Sequence, residues 1–505
     1  MTAETARLER NIRWVWGAVV ATVMATYYWV FFFPPRLVGG NDPDRFYHLC
    51  VSRIISEHGF PRTLPQAADL GWANYFPEKE FLFHALTGAA DLVAGTTGVL
   101  LLVPALGIGI LCVLYKTLSH VIRPWQAATI ALAVPLVTTA MLFRITLLRP
   151  HLLAILFFTL LLFAILRGRP WLAALASAGF ALSYHAFYII ILTIGIAAVF
   201  RWSDKPGGAR RWQWALAGLA FGMVINPYFP SNVVMSWTHV QIALGLDAPP
   251  GAEFGAEIQP VSVAAYLLAF GFMPVLLLAV AATRKFRSTA DITPGKNAIY
   301  FLFLLSLALT VLSAQTVRAA EYAVPAVILL FGYGLQLASS KWWLPGMLAA
   351  LALAQGASAR YYYSDVWSQS QAGSERWYFD AIAAIPARAG SAKVFNCQWD
   401  AGAYLLFLRP ELRFVDLLDP SFLWQVAPKK YLARQQLLRG GYADPHMVLE
   451  DVFAADYVLC ASPLLIEQMA TDPSRFRPLP VHGTQGPLKL FEMIASPGQS
   501  AIKTQ

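Results

Sequence analysis

Charge is scarce in this chain. Asp, Glu, Lys and Arg make up 13% of its 505 residues, about half the share of an ordinary soluble domain. Cysteine is scarcer still, with four in all, which excludes a small fold stapled by a disulfide framework. Internal repeats and low-complexity tracts are absent as well. The first apolar run, residues 14–33, ends in Pro34-Pro35 and has no small-residue cleavage site. It is long enough to cross about 30 Å as a helix, so a retained span is expected there and not a cleaved leader.

Hydrophobicity takes the place of charge, at 57% of residues, and it is unevenly spread. From Trp14 to Ala359 long apolar runs alternate with short polar breaks, and beyond Arg360 the composition is that of a soluble α/β region. The expected fold class is therefore a polytopic α-helical membrane protein, residues 1–359, followed by a C-terminal extracytoplasmic α/β domain, residues 360–505. The net charge of +9 sits mostly in the short breaks, where it sets topology, so no nucleic-acid partner is expected.

Apolar length and Lys/Arg asymmetry give about eleven spans. Arg7, Arg10 and Arg13 precede the first and place the N-terminus in the cytoplasm. A long first outer loop, 34–96, follows. The run 170–200 reads as a hairpin of two short spans turning near Tyr184-His185, because one long helix would put Arg201, Lys205, Arg210 and Arg211 outside. An odd number of spans leaves 360–505 outside. There, strands are expected at 392–397, 412–417, 456–461 and 487–492, and helices at 375–385, 426–439 and 462–470. Cys397 and Cys460 lie in this region. They can pair in an oxidising compartment, but two buried free thiols is the expectation.

The first outer loop carries the densest chemistry. In Asn41-Asp42-Pro43-Asp44-Arg45-Phe46-Tyr47-His48, a helix is expected to begin near Arg45 and to end at His58-Gly59. Asp42 and Asp44 then lie at the positive end of its dipole, which favours carboxylates able to act as a base or to hold a cation; the plainer alternative is a helix N-cap. Glu80 and His84 share a helix face at four-residue spacing, half of a metal site or an ordinary helix start. On the same outer side, Arg144 and Arg149 occupy a short loop before Pro150-His151, and Arg318 stands near Glu321. Such Arg need partners near hydrocarbon: a carboxylate, as in an Arg318–Glu321 pair, or the phosphate of a lipid. His185 at the hairpin turn reads as an interfacial packing residue, and Asp400 and Asp419 as turn residues at strand ends.

The arrangement resembles the GT-C superfamily of membrane glycosyltransferases, which includes oligosaccharyltransferase catalytic subunits and protein mannosyltransferases. The likeness in architecture covers most of the chain. The likeness in motif is narrower: Asp44-Arg45-Phe46-Tyr47-His48-Leu49 is similar to the Asp-x-aromatic-aromatic-His-Leu pattern of archaeal-type members, and Ser183-Tyr184-His185 falls where they carry a turn. Gln398-Trp399-Asp400-Ala401-Gly402 lacks the first Trp of the sequon-reading motif, and 144–149 has no carboxylates. The resemblance implies transfer of a sugar from a polyprenyl-phosphate-linked donor, within membrane lipid, to a protein or glycan acceptor outside a bacterial inner membrane. Asp44, or Asp42, would be the base. Arg318, Arg144, Arg149, His48, Glu80 and His151 would bind substrate or phosphate. Asp44, Glu80 and His84 would hold Mg2+ or Mn2+ if a metal is needed. The competing expectation is a transporter or lipid-linked-sugar flippase.

Overall fold

The computed structural model describes residues 42–136, 144–200, 211–243, 262–282, 294–335, 374–483 and 486–494, with a few single positions between. The expected spans at 14–33 and 342–359, and most of the basic clusters used to orient the helices, lie outside the described residues. The molecule is mostly helical with one small sheet. Among the described residues, three helices are long and apolar enough to cross a membrane: Phe81–Leu118, Asn297–Gln315 and Val317–Gly334. Five shorter apolar helices accompany them, so membrane association is supported at this coarser level.

Helix α1 (Asp44–His58) ends where Gly59 takes φ 77° and donates its N–H to Ile55 O. A side chain resists that positive φ, so the glycine stops the helix. Helix α2 (Phe81–Leu118) kinks at Ala94–Gly95, with Gly95 at φ 60°. The kink separates a first segment, 81–93, from the long apolar run that follows. Helix α3 (Pro124–Ala133) starts at a proline, whose missing N–H costs nothing in a first turn. Then come α4 (His151–Arg167), α5 (Pro170–Ser183) and α6 (Phe187–Val199). The helix breaks between α5 and α6 at Tyr184, whose backbone is extended, at the turn expected from sequence. Helix α7 (Arg211–Ile225) packs on α5 through small residues: a Cβ on Gly218 or Gly222 would meet the backbone of Ala174 or Ala178 at 2.0 and 2.5 Å. Close approach of this kind is how helices associate in lipid, where no hydrophobic force separates them from the solvent. Helices α8 (Ser231–Ala243), α9 (Val263–Phe270), α10 (Phe272–Ala281), α11 (Pro294–Gln315) and α12 (Ala320–Gly334) complete the bundle. Its apolar core includes Phe158, Phe180, Phe301 and Leu330.

The C-terminal third forms an α/β layer. Five strands, β1 (Lys393–Asn396), β2 (Arg413–Phe414), β3 (Tyr457–Cys460), β4 (Phe476–Leu479) and β5 (Lys489–Met493), lie in the order β2-β1-β3-β5-β4. The first three are parallel; β5 and β4 run antiparallel beside β3. Helices α13 (Ser374–Ala383), α14 (Ala401–Leu408), α15 (Pro420–Val426), α16 (Pro428–Leu438), α17 (Pro445–Asp451) and α18 (Pro463–Ala470) surround the sheet. One correction falls here. Cys397 and Cys460 form a disulfide, with Cα atoms 4.8 Å apart. Each sits at the carboxyl end of a parallel strand, and Cys397 N donates to Leu459 O across the β1–β3 pair, so strand pairing alone brings the sulfurs together.

A second apolar core joins residues 46–76 to the sheet. Phe46, Tyr47, Trp72 and Phe76 are buried with Tyr404, Phe414, Phe422 and Val458. Phe46 stands at 4.8–5.5 Å from the rings of Phe379, Tyr404 and Phe407. Asp69, in the 3-10 turn Pro65–Leu70, accepts from Lys430 at 2.6 Å and pairs with Lys393. Arg45 meets Glu375 at 2.6 Å. Loop and sheet therefore meet as one packed body above the apolar helices.

Candidate active site

An open cleft of about 500 Å³, counting its solvent-facing mouth, lies where the segment 42–80, the helix ends and the α/β layer meet. The loop contributes Asp44, His48, Lys79 and Glu80. The segment before α4 contributes Arg144, Arg149 and His151. His185 comes from the α5–α6 break, His239 from α8 and Arg318 from the turn before α12. Leu418, Asp419 and Phe422 close the cleft from the α/β layer. Of the sequence-predicted residues, Asp44, His48, Glu80, Arg144, Arg149, His151 and Arg318 thus converge on one place, although they span 275 positions of the chain from 44 to 318.

The pairing inside the cleft differs from the sequence expectation in three respects. Neither Asp42 nor Asp44 caps α1 with its side chain. Both instead hold Arg149: Nη2 lies 2.5 Å from Asp42 Oδ1, Nε bonds both Asp42 oxygens at 3.0 and 3.1 Å, and Nη1 lies 3.0 Å from Asp44 Oδ2. A guanidinium fork suits this clasp as an ammonium would not. Asp42 is buried at 1% side-chain exposure, whereas Asp44 keeps 19% and lines the cleft. Second, Glu321 pairs with Arg144 at 2.5 Å. The two cations expected to grip phosphate in the 144–149 loop are therefore held by carboxylates. Arg318 approaches His185, Nη1 to Nε2 at 3.4 Å.

The third respect concerns the metal set. Among the described residues, His48, Glu80 and His84 form a buried group that could hold a metal ion, their donor atoms all within 4.8 Å of one another. His48 takes the place expected for Asp44, because Asp44 is drawn to Arg149. Glu80 and His84 come together as the N-terminal flank and first turn of α2, with His84 N bonded to Glu80 O at 3.1 Å. His48 sits one turn into α1, and its Nδ1 is 2.8 Å from His84 Nε2. Behind them Glu78, a residue the sequence did not flag, accepts from His84 Nδ1 at 2.7 Å and from the Glu80 amide at 2.6 Å. It precedes the helix and reaches His84 through a turn, so it shows no helical spacing.

Burial disfavours the charged form of three of the cleft's imidazoles, those of His48, His185 and His239. Burial lowers His48 well below the usual histidine value, helped by His84, Arg149 and Lys79. Burial likewise lowers His185 to about 4, with Lys79 and Arg318 adding to it and Glu80 opposing. His239, 4.5 Å from His185 ring to ring, is lowered by burial and by that neighbour. Burial raises the Glu80 carboxyl, but Lys79 at 3.3 Å, His185, His48 and His84 outweigh it and hold Glu80 well below the carboxylate range. Asp419 is raised by burial although Ser421, Arg318 and Lys79 oppose. Its side chain does cap α15, accepting from Ser421 N at 2.8 Å, as a turn residue would. It also faces the cleft, which the turn reading does not anticipate, and Leu418 before it stands at φ 66°, a conformation a leucine adopts only under constraint. Asp400 lies elsewhere, accepting from Tyr378 at 2.8 Å.

No family model and no curated protein matches the chain. The cleft has therefore to be read from its own chemistry. It offers a solvent-reachable carboxylate (Asp44), two cations at its wall (Lys79 and Arg318), and imidazoles whose ring nitrogens can accept or donate a hydrogen bond. A second, smaller cavity shares Tyr184, His185, His239, Arg318 and Asp419 with it, and reaches Tyr188, Thr316 and Tyr322 among the apolar helices.

Proposed function

We propose that the protein is a membrane glycosyltransferase that moves a sugar from a polyprenyl-phosphate-linked donor to an acceptor at the extracytoplasmic face. One observation carries this reading: a single cleft at the ends of apolar helices holds the Asp44 carboxylate together with Lys79 and Arg318. The donor's phosphate meets Lys79 and Arg318, and its chain follows the smaller cavity toward Tyr188 and Tyr322. Asp44 takes the proton from an acceptor hydroxyl or amide as that atom bonds the anomeric carbon. The carbon–oxygen bond to phosphate breaks on the opposite side, its electron pair leaves on the phosphate, and the two cations stabilise that charge. Arg149 fixes the Asp44 rotamer, so the base is pre-positioned. A divalent cation at the His48 group is the proposed cofactor. The α/β layer closes the cleft from the acceptor side through Asp419 and Phe422.

The same reading places the protein as a multi-pass component of a bacterial inner membrane, with the N-terminus in the cytoplasm and the α/β layer in the periplasm. The Cys397–Cys460 disulfide supports that side, because such bonds persist in oxidising compartments. The test is release of free polyprenyl phosphate or diphosphate from a panel of lipid-linked sugars, with membrane extract as acceptor, by wild type and Asp44→Asn, with and without divalent metal. Release by wild type and not by the variant is expected. No release from any donor by folded protein would move the assignment to a transporter or flippase.

A further inference from the structure

We propose that His48, Glu80 and His84 bind a divalent transition-metal ion of the zinc class, and that the ion keeps one coordination position open to the cleft. The donor set argues for the class. Two imidazole nitrogens and one carboxylate suit zinc, cobalt or iron, whereas magnesium and calcium take oxygen ligands almost throughout. All three side chains are buried and their donor atoms lie within 4.8 Å, so the ordering cost of gathering them falls on the fold. The outer partner is also in place: Glu78 Oε2 accepts from His84 Nδ1 at 2.7 Å, which turns the Nε2 lone pair toward the group. The other Glu78 oxygen is anchored on the Glu80 amide, so one residue positions two ligands. Nε2 of His84 and Nδ1 of His48, 2.8 Å apart, share a proton in the hydrogen-bonded form. The ion would take the place of that hydrogen bond, with the His48 proton carried on its other ring nitrogen, Nε2. His84 is fully buried while His48 and Glu80 line the cleft. Three protein ligands leave a four-coordinate ion one further position, and it opens on the cleft side, where an anionic oxygen such as that of a phosphate can enter.

The site rests on its own residues and needs no donor or acceptor to be tested. Full-length protein, purified in detergent with its tag removed, is stripped with chelator and titrated separately with Zn2+, Co2+, Mn2+ and Mg2+. Bound metal is counted by mass spectrometry, and affinity is measured by calorimetry. One equivalent of Zn2+ or Co2+ is expected, with Mg2+ weaker by about a thousandfold or more. The Co2+ form is expected to show intense tetrahedral visible bands that shift on addition of inorganic phosphate. Glu78→Gln weakens binding by about 10–100-fold, as loss of an outer partner does, and His84→Ala abolishes it. Asp44→Asn changes it less than about twofold, since Asp44 is not a ligand. Thermal melting checks that each variant is folded. Absence of a stoichiometric metal in wild type, equal affinity for Mg2+, or full retention in a folded His84→Ala would each overturn the proposal. Phosphate that leaves the Co2+ spectrum unchanged would overturn the open position. A positive result with no sugar transfer would leave the metal site standing and the transferase reading refuted.

Discussion

Replacing both Cys397 and Cys460 by alanine should lower the stability of the α/β layer by about 4 kcal/mol. The magnitude follows from chain entropy. The bond closes a sequence separation of 63 residues, and fixing the ends of a loop that long removes about 4 kcal/mol of freedom from the unfolded chain at 25 °C. Little native packing is lost, because alanine keeps each Cβ and both cysteines are buried within apolar surroundings. Folded domains hold only about 5–15 kcal/mol in reserve, so the change is a large share of the total. Pulse proteolysis across a urea series, read as loss of the intact C-terminal fragment, measures it. Wild type treated with dithiothreitol should fall to the level of the double variant. A parallel measurement fixes the compartment: protein taken from membranes without reductant, unfolded and exposed to maleimide, should be labelled only at Cys50 and Cys112, the two free cysteines. Labelling of all four, or a double variant within about 0.5 kcal/mol of wild type, would refute both the bond's role and the inference about which side the layer faces.

Three further outcomes follow from pairs and packing. Glu321→Ala removes the carboxylate 2.5 Å from the buried Arg144 and should cost about 3–5 kcal/mol, seen as a large fall in Tm in detergent, whereas an apolar Arg144→Met/Glu321→Leu double variant should recover most of it. Phe46→Ala empties the space between Phe379, Tyr404 and Phe407 and should cost about 3–5 kcal/mol by urea unfolding. Asp416 carries a pH signature: burial raises its carboxyl to about 6 although Arg434 opposes, above an unfolded value of about 4. The folded form therefore holds the proton more tightly, so this contribution to stability is full below pH 4 and is lost as pH rises through 6; Asp416→Asn should flatten that fall, worth about 3 kcal/mol at most.

Local signals in the sequence fared better than distant ones. The end of α1 was legible because Gly59 alone suits its backbone, and four of the five strands were legible because short apolar runs met turn residues. β4 was missed because Pro478 and Pro480 argue against a strand; it forms at the sheet edge, where a missing N–H is tolerated. The candidate site residues were legible as types at the outer ends of apolar runs. Their partners were not. Arg149 reaches Asp42 across 107 positions and Arg144 reaches Glu321 across the bundle, and no periodicity encodes such meetings. Glu78 was missed for the opposite reason: it lies close in sequence, but works through a turn and not through a helix face. The disulfide was undecidable from four cysteines, since connectivity is set by strand order.

The core shared by the first outer loop and the sheet bears on how the protein is made. On the topology proposed above, the ribosome delivers Phe46, Trp72 and Phe76 early, and their packing partners Tyr404, Phe414 and Phe422 only after the intervening helices have been threaded into the bilayer. Until then residues 42–80 carry an uncovered apolar face, and Asp69 lacks Lys393 and Lys430. Assembly of the outer half is therefore the closing act of biosynthesis, performed between the two ends of one polypeptide. A nascent chain cut short before residue 374 would present that face to the quality-control machinery of the membrane surface, and so mark itself as unfinished.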